Sequence, residues 1–335
     1  MEKPNTYHRA LRVFVSGSSD SNDTATLIYQ YDPITWVENL AVRPNGSILP
    51  ITTTSPRLNQ LDPRTGTLQL VHDFSDHGNA IQGITAVGHD SYAVDVLTCN
   101  ITALTCTSGS VTTWLVSFSI HQHGSADHTV TITEVTQFLQ AGFLNGIAAL
   151  NSETLLLADS FLGGIWSLAI ATGVRSFLFT DSSMAPTAEI GTGINGLRVR
   201  PGLLYYTTSA QGTFNVLPID PSTGNKTGEA IVLASGLAGP DDFEINDDTG
   251  EAYVCNGALN QILRIPIDER NVTASELDVL AEVPGPTSVR WGSEYLAHGG
   301  ERLRQKLVYV STVGGLAQYT TQNVTFGGAV YSIAP

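Results

Sequence analysis

Gly193-Ile194-Asn195-Gly196-Leu197-Arg198-Val199 is the stretch on which the reading of this chain turns. It joins a polar side chain, a small residue and a short apolar strand. The same form returns at Glu38-Asn39-Leu40-Ala41-Val42, Gln82-Gly83-Ile84-Thr85-Ala86 and Asn145-Gly146-Ile147-Ala148-Ala149. It returns again at Asp241-Asp242-Phe243-Glu244-Ile245 and Thr287-Ser288-Val289-Arg290-Trp291. The intervals of about 45 to 60 residues are the length of a four-stranded propeller blade. The repeats therefore predict an all-β fold: a single six-bladed β-propeller domain over 1–335, with inner strands starting near 39, 83, 146, 196, 242 and 288. If each of these strands is the innermost of its blade, Glu38, Gln82, Asn145, Asn195, Asp241 and Thr287 converge at one mouth of a central channel.

Composition agrees with such a chain. Of the 335 residues only 14 % are charged, and no run reaches the roughly 18 apolar residues of a membrane span. A net charge of −15 speaks against nucleic acid and anionic lipid, which both need basic patches. Sequons at Asn22, Asn45, Asn100, Asn225, Asn271 and Asn323 point to glycosylation in the secretory pathway. So do Cys99 and Cys106, close enough in a polar loop to close a small disulfide, with Cys255 left as a buried thiol. The polar start Met1-Glu2-Lys3-Pro4-Asn5 carries no apolar leader, so either the protein is cytosolic or its signal peptide lies outside this stretch, and the second is the expectation.

Along the chain, alternating strands broken by Asn-Gly and Thr-Gly turns fill each blade. No inner strand precedes Thr26–Tyr31, which is expected to close the ring as the outer strand of the last blade and so remove an open sheet edge. Blade six is read as Ser288–Gly292, Leu307–Ser311 and Ala329–Ile333, with a long excursion over 312–328. Strand direction puts the second-to-third-strand loops and the blade connections on the ring's face. That face is expected to hold Asp159-Ser160-Phe161-Leu162, the cysteine loop, Ser209–Phe214 and the connection carrying Met184. The opposite face is expected to carry only tight turns. Insertions gathered on one face of a symmetric scaffold are where function is expected.

Oxygen-donating side chains at the narrow end of a channel suit a hard cation such as Ca²⁺ or Mg²⁺. They equally cap a water-filled channel, and both readings stand. Neither His spacing nor a Gly-x-Ser-x-Gly elbow offers a metal-binding histidine set or a serine nucleophile.

Glu38-Asn39, Asn145-Gly146, Asn195-Gly196, Pro240-Asp241-Asp242 and Pro286-Thr287-Ser288 resemble, in order and blade by blade, the gluconolactonase/regucalcin (senescence marker protein) family of six-bladed propellers. The resemblance implies a divalent metal at Glu38, Asn195 and Asp241, with Asn145 at substrate or metal and the aspartate as base for lactone hydrolysis. Phe143 stands where sugar lactonases carry an arginine, and Asp241-Asp242 where they carry Asp-Gly, which implies a greasier ligand. Glu-Asn-Leu-Ala-Val-Arg-Pro-Asn-Gly from Glu38, Ile194-Asn195-Gly196-Leu197-Arg198 and Asp241-Asp242-Phe243 are similar to the secreted fungal branch. That branch includes hetero-Diels–Alderases of tropolone–sesquiterpenoid biosynthesis.

Three functions follow as expectations. A pericyclase would join an ortho-quinone-methide or tropolone diene to a terpene alkene and need no cofactor. Glu38, Gln82, Asn145, Asn195 and Asp241 would be its catalytic polar groups. Trp36, Phe143, Phe161, Met184 and Phe214 would line the apolar side, with Asp242 and Thr287 also touching substrate. A metal-dependent lactonase or esterase would use Ca²⁺ or Mg²⁺ on Glu38, Asn145, Asn195 and Asp241. A non-catalytic ligand-binding propeller uses the same mouth without chemistry. The expected partner is an apolar small molecule, without nucleic acid or membrane; oligomeric state is left open.

Overall fold

The computed structural model describes residues 25–100, 103, 105–120, 128–298, 301–315 and 326–335. Among them six four-stranded antiparallel blades form a closed ring, the fourth extended by the short parallel strand Val272–Thr273, and there is no α-helix, only short 3₁₀ turns. Blade one is Val37–Val42, Ile48–Thr52, Arg57–Asp62 and Thr67–Asp73. Blade two is Ala80–Gly88, Ser91–Leu97, Val111–Ile120 and His128–Phe138. Blade three is Leu144–Ala149, Thr154–Asp159, Gly164–Ala169 and Arg175–Thr180. Blade four is Ile194–Arg200, Leu203–Thr208, Thr213–Pro218 and Ile231–Ser235. Blade five is Pro240–Asn246, Glu251–Asn256, Gln261–Pro266 and Asp278–Glu282.

Blade six takes Pro286–His298, Glu301–Thr312 and Ala329–Ile333 from the C-terminal end and Thr26–Gln30 from the N-terminal end. The closing strand pairs Thr26 with Ser332 and Gln30 with Ala329, as the sequence predicts. This joint ties the two ends of the chain into one blade and covers the edge that Ala329–Ile333 would otherwise leave open.

Each sheet buries both faces, and six apolar clusters fill the wedges between neighbouring blades. Leu49, Ile51 and Leu58 meet Ile81, Val94 and Val96 between blades one and two. Leu40 and Ile48 meet Tyr309 and Val330 where blade six returns to blade one. A blade therefore has no core of its own; its apolar surface is removed from water only by its neighbours.

Two expectations change. The first strands of blade six are far longer than Ser288–Gly292 and Leu307–Ser311: residues 286–298 and 301–312 pair throughout as a hairpin. The extension is polar and charged, so it lacks the apolar alternation by which half-buried strands are recognised. It runs away from the ring, as does the hairpin of Val111–Ile120 with His128–Phe138. The face opposite the ring thus bears two long ribbons as well as tight turns. Of the 312–328 excursion, residues 316–325 lie outside the described residues, as do Asn22 and Asn323. Cys99 and Cys106 form a disulfide across a two-strand turn, and Cys255 is a buried free thiol.

Candidate functional site

All six inner strands break register at the same place. The shifts fall between Val37 and Asn39, Ile81 and Gly83, Leu144 and Ile147, Ile194 and Leu197, Pro240 and Phe243, and Pro286 and Ser288. Each interval contains the polar residue that leads the sequence repeat. A bulge leaves its extra residue outside the ladder and re-aims its side chain. The repeat read in sequence is thus a bulge repeated six times, and it brings Glu38, Gln82, Asn145, Asn195, Asp241 and Thr287 to one level of the channel.

These side chains are nearly closed from water, at 2–8 % exposure, save Asp241, which is partly open. Gln82 donates its amide to Glu38 Oε1 at 2.8 Å and accepts from the Thr53 hydroxyl at 3.0 Å. The Trp36 indole N–H donates to Glu38 Oε2. Asn195 donates to Ser209 Oγ at 3.0 Å and hydrogen-bonds the Asp241 carboxylate. Thr287 turns outward to the ring frame, donating to the Val37 carbonyl at 2.7 Å.

Burial pushes the Glu38 carboxyl up to about 8, against the hydrogen bonds from Trp36 and Gln82. Asp241 is pushed well above the usual carboxylate range by burial and then by the nearby Glu38 and Asp242 charges. Two carboxyls on one ring disfavour each other's ionisation, so the site favours a proton or a cation. The donor set Glu38, Asn145, Asn195 and Asp241 fits a hard divalent cation in ligand type and charge. Both Glu38 oxygens already accept hydrogen bonds, so a cation there would compete with Trp36 and Gln82. Among the described residues no three His, Cys, Asp or Glu side chains cluster as a metal site.

One layer down the channel is plugged. Asp242 accepts from Asn39 Nδ2 at 3.0 Å, Ser288 Oγ at 3.1 Å and Arg290 Nη2 at 2.7 Å, and pairs with Arg198 Nη1 at 3.1 Å. Asp242 was expected to touch substrate; instead it is buried at the centre of this network, tying blades one, four, five and six. Sequence reasoning passed over Asn39, Arg198 and Arg290. Their signal was present, since each lies one or three residues beyond a ring position, on the channel side of a strand that alternates by two.

The expected apolar wall is divided. Phe143 is buried and packs its ring 5.1 Å from Phe161, which is partly exposed. Met184 and Phe214 are fully buried, Met184 in the wedge between blades three and four and Phe214 between Tyr205 and Phe243. A side chain with no exposed surface cannot line a pocket, so these two are corrected to core residues. Met184 sits in the connection between blades three and four, and Phe214 in a strand buried on both faces, so periodicity does not separate wedge from pocket at either. Two cavities are described, one at the far end of the channel and one against the disulfide turn, and ring residues line neither.

No family model matches the chain. Among curated proteins it is similar to one from Phoma sp that carries the name of a hetero-Diels-Alderase, 22 % identical over 84 % of this chain and 88 % of that one. A second of that name, from Sarocladium schorii, is 24 % identical over 87 % and 82 %. Among solved structures it resembles a luciferin-regenerating enzyme, at TM-score 0.61 and 16 % identity over 91 % and 92 % of the two chains. It also resembles the regucalcin of Agrobacterium tumefaciens, described as calcium-binding, at TM-score 0.52 and 15 % identity over 91 % and 94 %. The chain is therefore a six-bladed β-propeller that resembles regucalcin in fold and the fungal proteins named hetero-Diels-Alderases in sequence.

Proposed function

We propose that this protein is a hetero-Diels–Alderase acting at the ring. The observation that carries the reading is the buried Glu38 carboxyl, pushed up to about 8 and so mostly protonated near neutral pH, beside Asp241, whose carboxyl is raised by burial and by the neighbouring Glu38 and Asp242 charges. A neutral acid in a nearly dry site is a hydrogen-bond donor. A hetero-[4+2] addition forms one C–C and one C–O bond, and no atom leaves. It needs the reactants aligned and a donor at the oxygen that gains charge, with no nucleophile. Glu38 would donate to that oxygen, Gln82 and Trp36 would hold the Glu38 carboxyl in place, and Asn195 would orient Asp241. Asp241, the most open ring member, would be the first to meet a ligand. Phe161 and Trp36 would supply the apolar edge.

The two curated relatives support the reaction class, and the substrate class proposed is a tropolone-type ortho-quinone methide with a terpene alkene. A divalent cation on Glu38, Asn145, Asn195 and Asp241 would supply Lewis-acid polarisation for lactone hydrolysis instead. The test compares product formation from the diene precursor and alkene with turnover of a lactone panel, each with and without chelator. Cycloaddition insensitive to chelator, with no lactone turnover, supports the proposal; chelator-sensitive lactone turnover alone overturns it. Secretion is part of the same proposal. Asn45, Asn100, Asn225 and Asn271 are all exposed, the disulfide fits an oxidising compartment, and no helix among the described residues is long and apolar enough to cross a membrane.

A further inference from the structure

Below the Asp242 plug the channel opens again, on the face away from the ring, into a cavity of about 330 Å³. Its origin is an asymmetry between the halves of the propeller. Two residues past the plug level, blades one, two and three put Ala41, Thr85 and Ala148 toward the axis. Blades four, five and six put Arg198, Glu244 and Arg290 there. Small side chains facing long ones leave a space whose one half is apolar and whose other half is charged. Its volume is at the lower end of the roughly 300–1,000 Å³ of small-molecule pockets.

Arg198 and Arg290 pair with Asp242 and Glu244, and Arg200 pairs with Asp247. Arg290 is spent on Asp242, Asn39, Ser288 and main-chain carbonyls, and Arg198 on Asp242, Glu244 and the Leu197 carbonyl. Arg200 is different. Its Nε meets Asp247, whose side chain is 67 % exposed, and Nη1 meets the Val199 carbonyl, while Nη2 has no protein partner among the described residues. The Thr85 hydroxyl, on the opposite wall, has none either. The Arg200 Nη2 and the Thr85 hydroxyl are thus unspent donors on the wall of the recess, and a charge-assisted donor suits an anionic group.

We infer that the lower channel is a second ligand site, for a small amphiphile with one anionic head, such as a short-chain carboxylate. The head sits against Arg200 Nη2, and the apolar part lies over Ala41 and Ala148. The plug separates this site from the ring, so its occupancy does not depend on the chemistry proposed there.

Titration calorimetry of the full chain with octanoate, and with octanol as the uncharged control, tests this. Octanoate should bind at least about tenfold more tightly than octanol, as expected for a charge-assisted contact. Arg200→Gln should erase that difference while leaving octanol binding unchanged; its partner is largely solvated, so the fold tolerates the change. Ala148→Leu should fill the cavity and weaken both ligands, with an unchanged circular dichroism spectrum showing that the ring is intact. Octanoate that fails to bind, or binds equally to wild type and Arg200→Gln, would overturn the site and leave a water-filled channel.

Discussion

Gln82 donates its side-chain amide to Oε1 of Glu38 at 2.8 Å, linking the ring positions of blades one and two. That bond, with the Trp36 indole on the other oxygen, holds the most enclosed carboxyl of the ring in one orientation. It also sets up the first prediction. If Glu38 works as a neutral donor, Glu38→Gln keeps a donor in place and should cost less than about tenfold in rate. Glu38→Ala should cost roughly 10²–10³, the loss seen when a preorganised donor is removed. Initial rates of cycloaddition for the two variants check this; equal, large losses would assign Glu38 a role that needs its charge.

A pH dependence follows from blade two. In blades four and six a hydroxyl behind the bulge, Thr207 or Ser311, donates to the carbonyl of the next ring residue, Asp241 or Glu38. Blade two puts Asp95 there, fully buried, with Thr113 on one oxygen and nothing on the other. Burial pushes its carboxyl up to about 7. A raised pKa means that the folded state holds a proton the unfolded chain has released. The associated stability is therefore complete below about pH 4 and is lost as pH rises through 7. Asp95→Asn, neutral at every pH, should match wild type near pH 4 and exceed it at pH 8 by on the order of a few kcal/mol. Urea melts at the two pH values decide it; an identical difference at both would contradict the assignment.

The fold was legible because one device recurs. A bulge needs a polar or small pair at the head of an apolar strand, and six such pairs at blade-length intervals are visible without coordinates. The closing strand was legible as the one alternating segment left without an inner strand. What lay beyond reading was direction. Met184 sits in a connection without period, and Phe214 in a strand buried on both faces, where the period does not tell wedge from pocket. Arg198 and Arg290 sit on the readable period, yet their partner Asp242 is brought to them only by closing the ring. The charged ribbon of blade six lacked the apolar alternation that marks a strand against a core.

Phe161 and Phe214 should part company on mutation. Phe214→Ala empties a packed wedge between blades four and five and should cost about 3–5 kcal/mol. Phe161→Ala removes a partly exposed ring, so it should leave the melting temperature within a few degrees while changing product ratio. Differential scanning fluorimetry beside product analysis separates them; a melt for Phe161→Ala as low as that for Phe214→Ala would place Phe161 in the core.

The cysteines give a chemical check on the ring's outer turn. Alkylation of the denatured, unreduced protein should add one label, at Cys255, and reduction should expose Cys99 and Cys106 as well. Three labels without reduction would remove the disulfide from the protein in solution.

The central claim is that the ring aligns two partners for cycloaddition through neutral donors. Its most direct test is the enantiomeric excess of the product formed from a tropolone-type ortho-quinone methide precursor and a humulene-type alkene, measured with chelator present and against the buffer reaction. The account predicts a faster reaction than buffer and a product strongly enriched in one enantiomer, both kept in chelator and both reduced in Glu38→Ala. A racemic product formed at the buffer rate would contradict it.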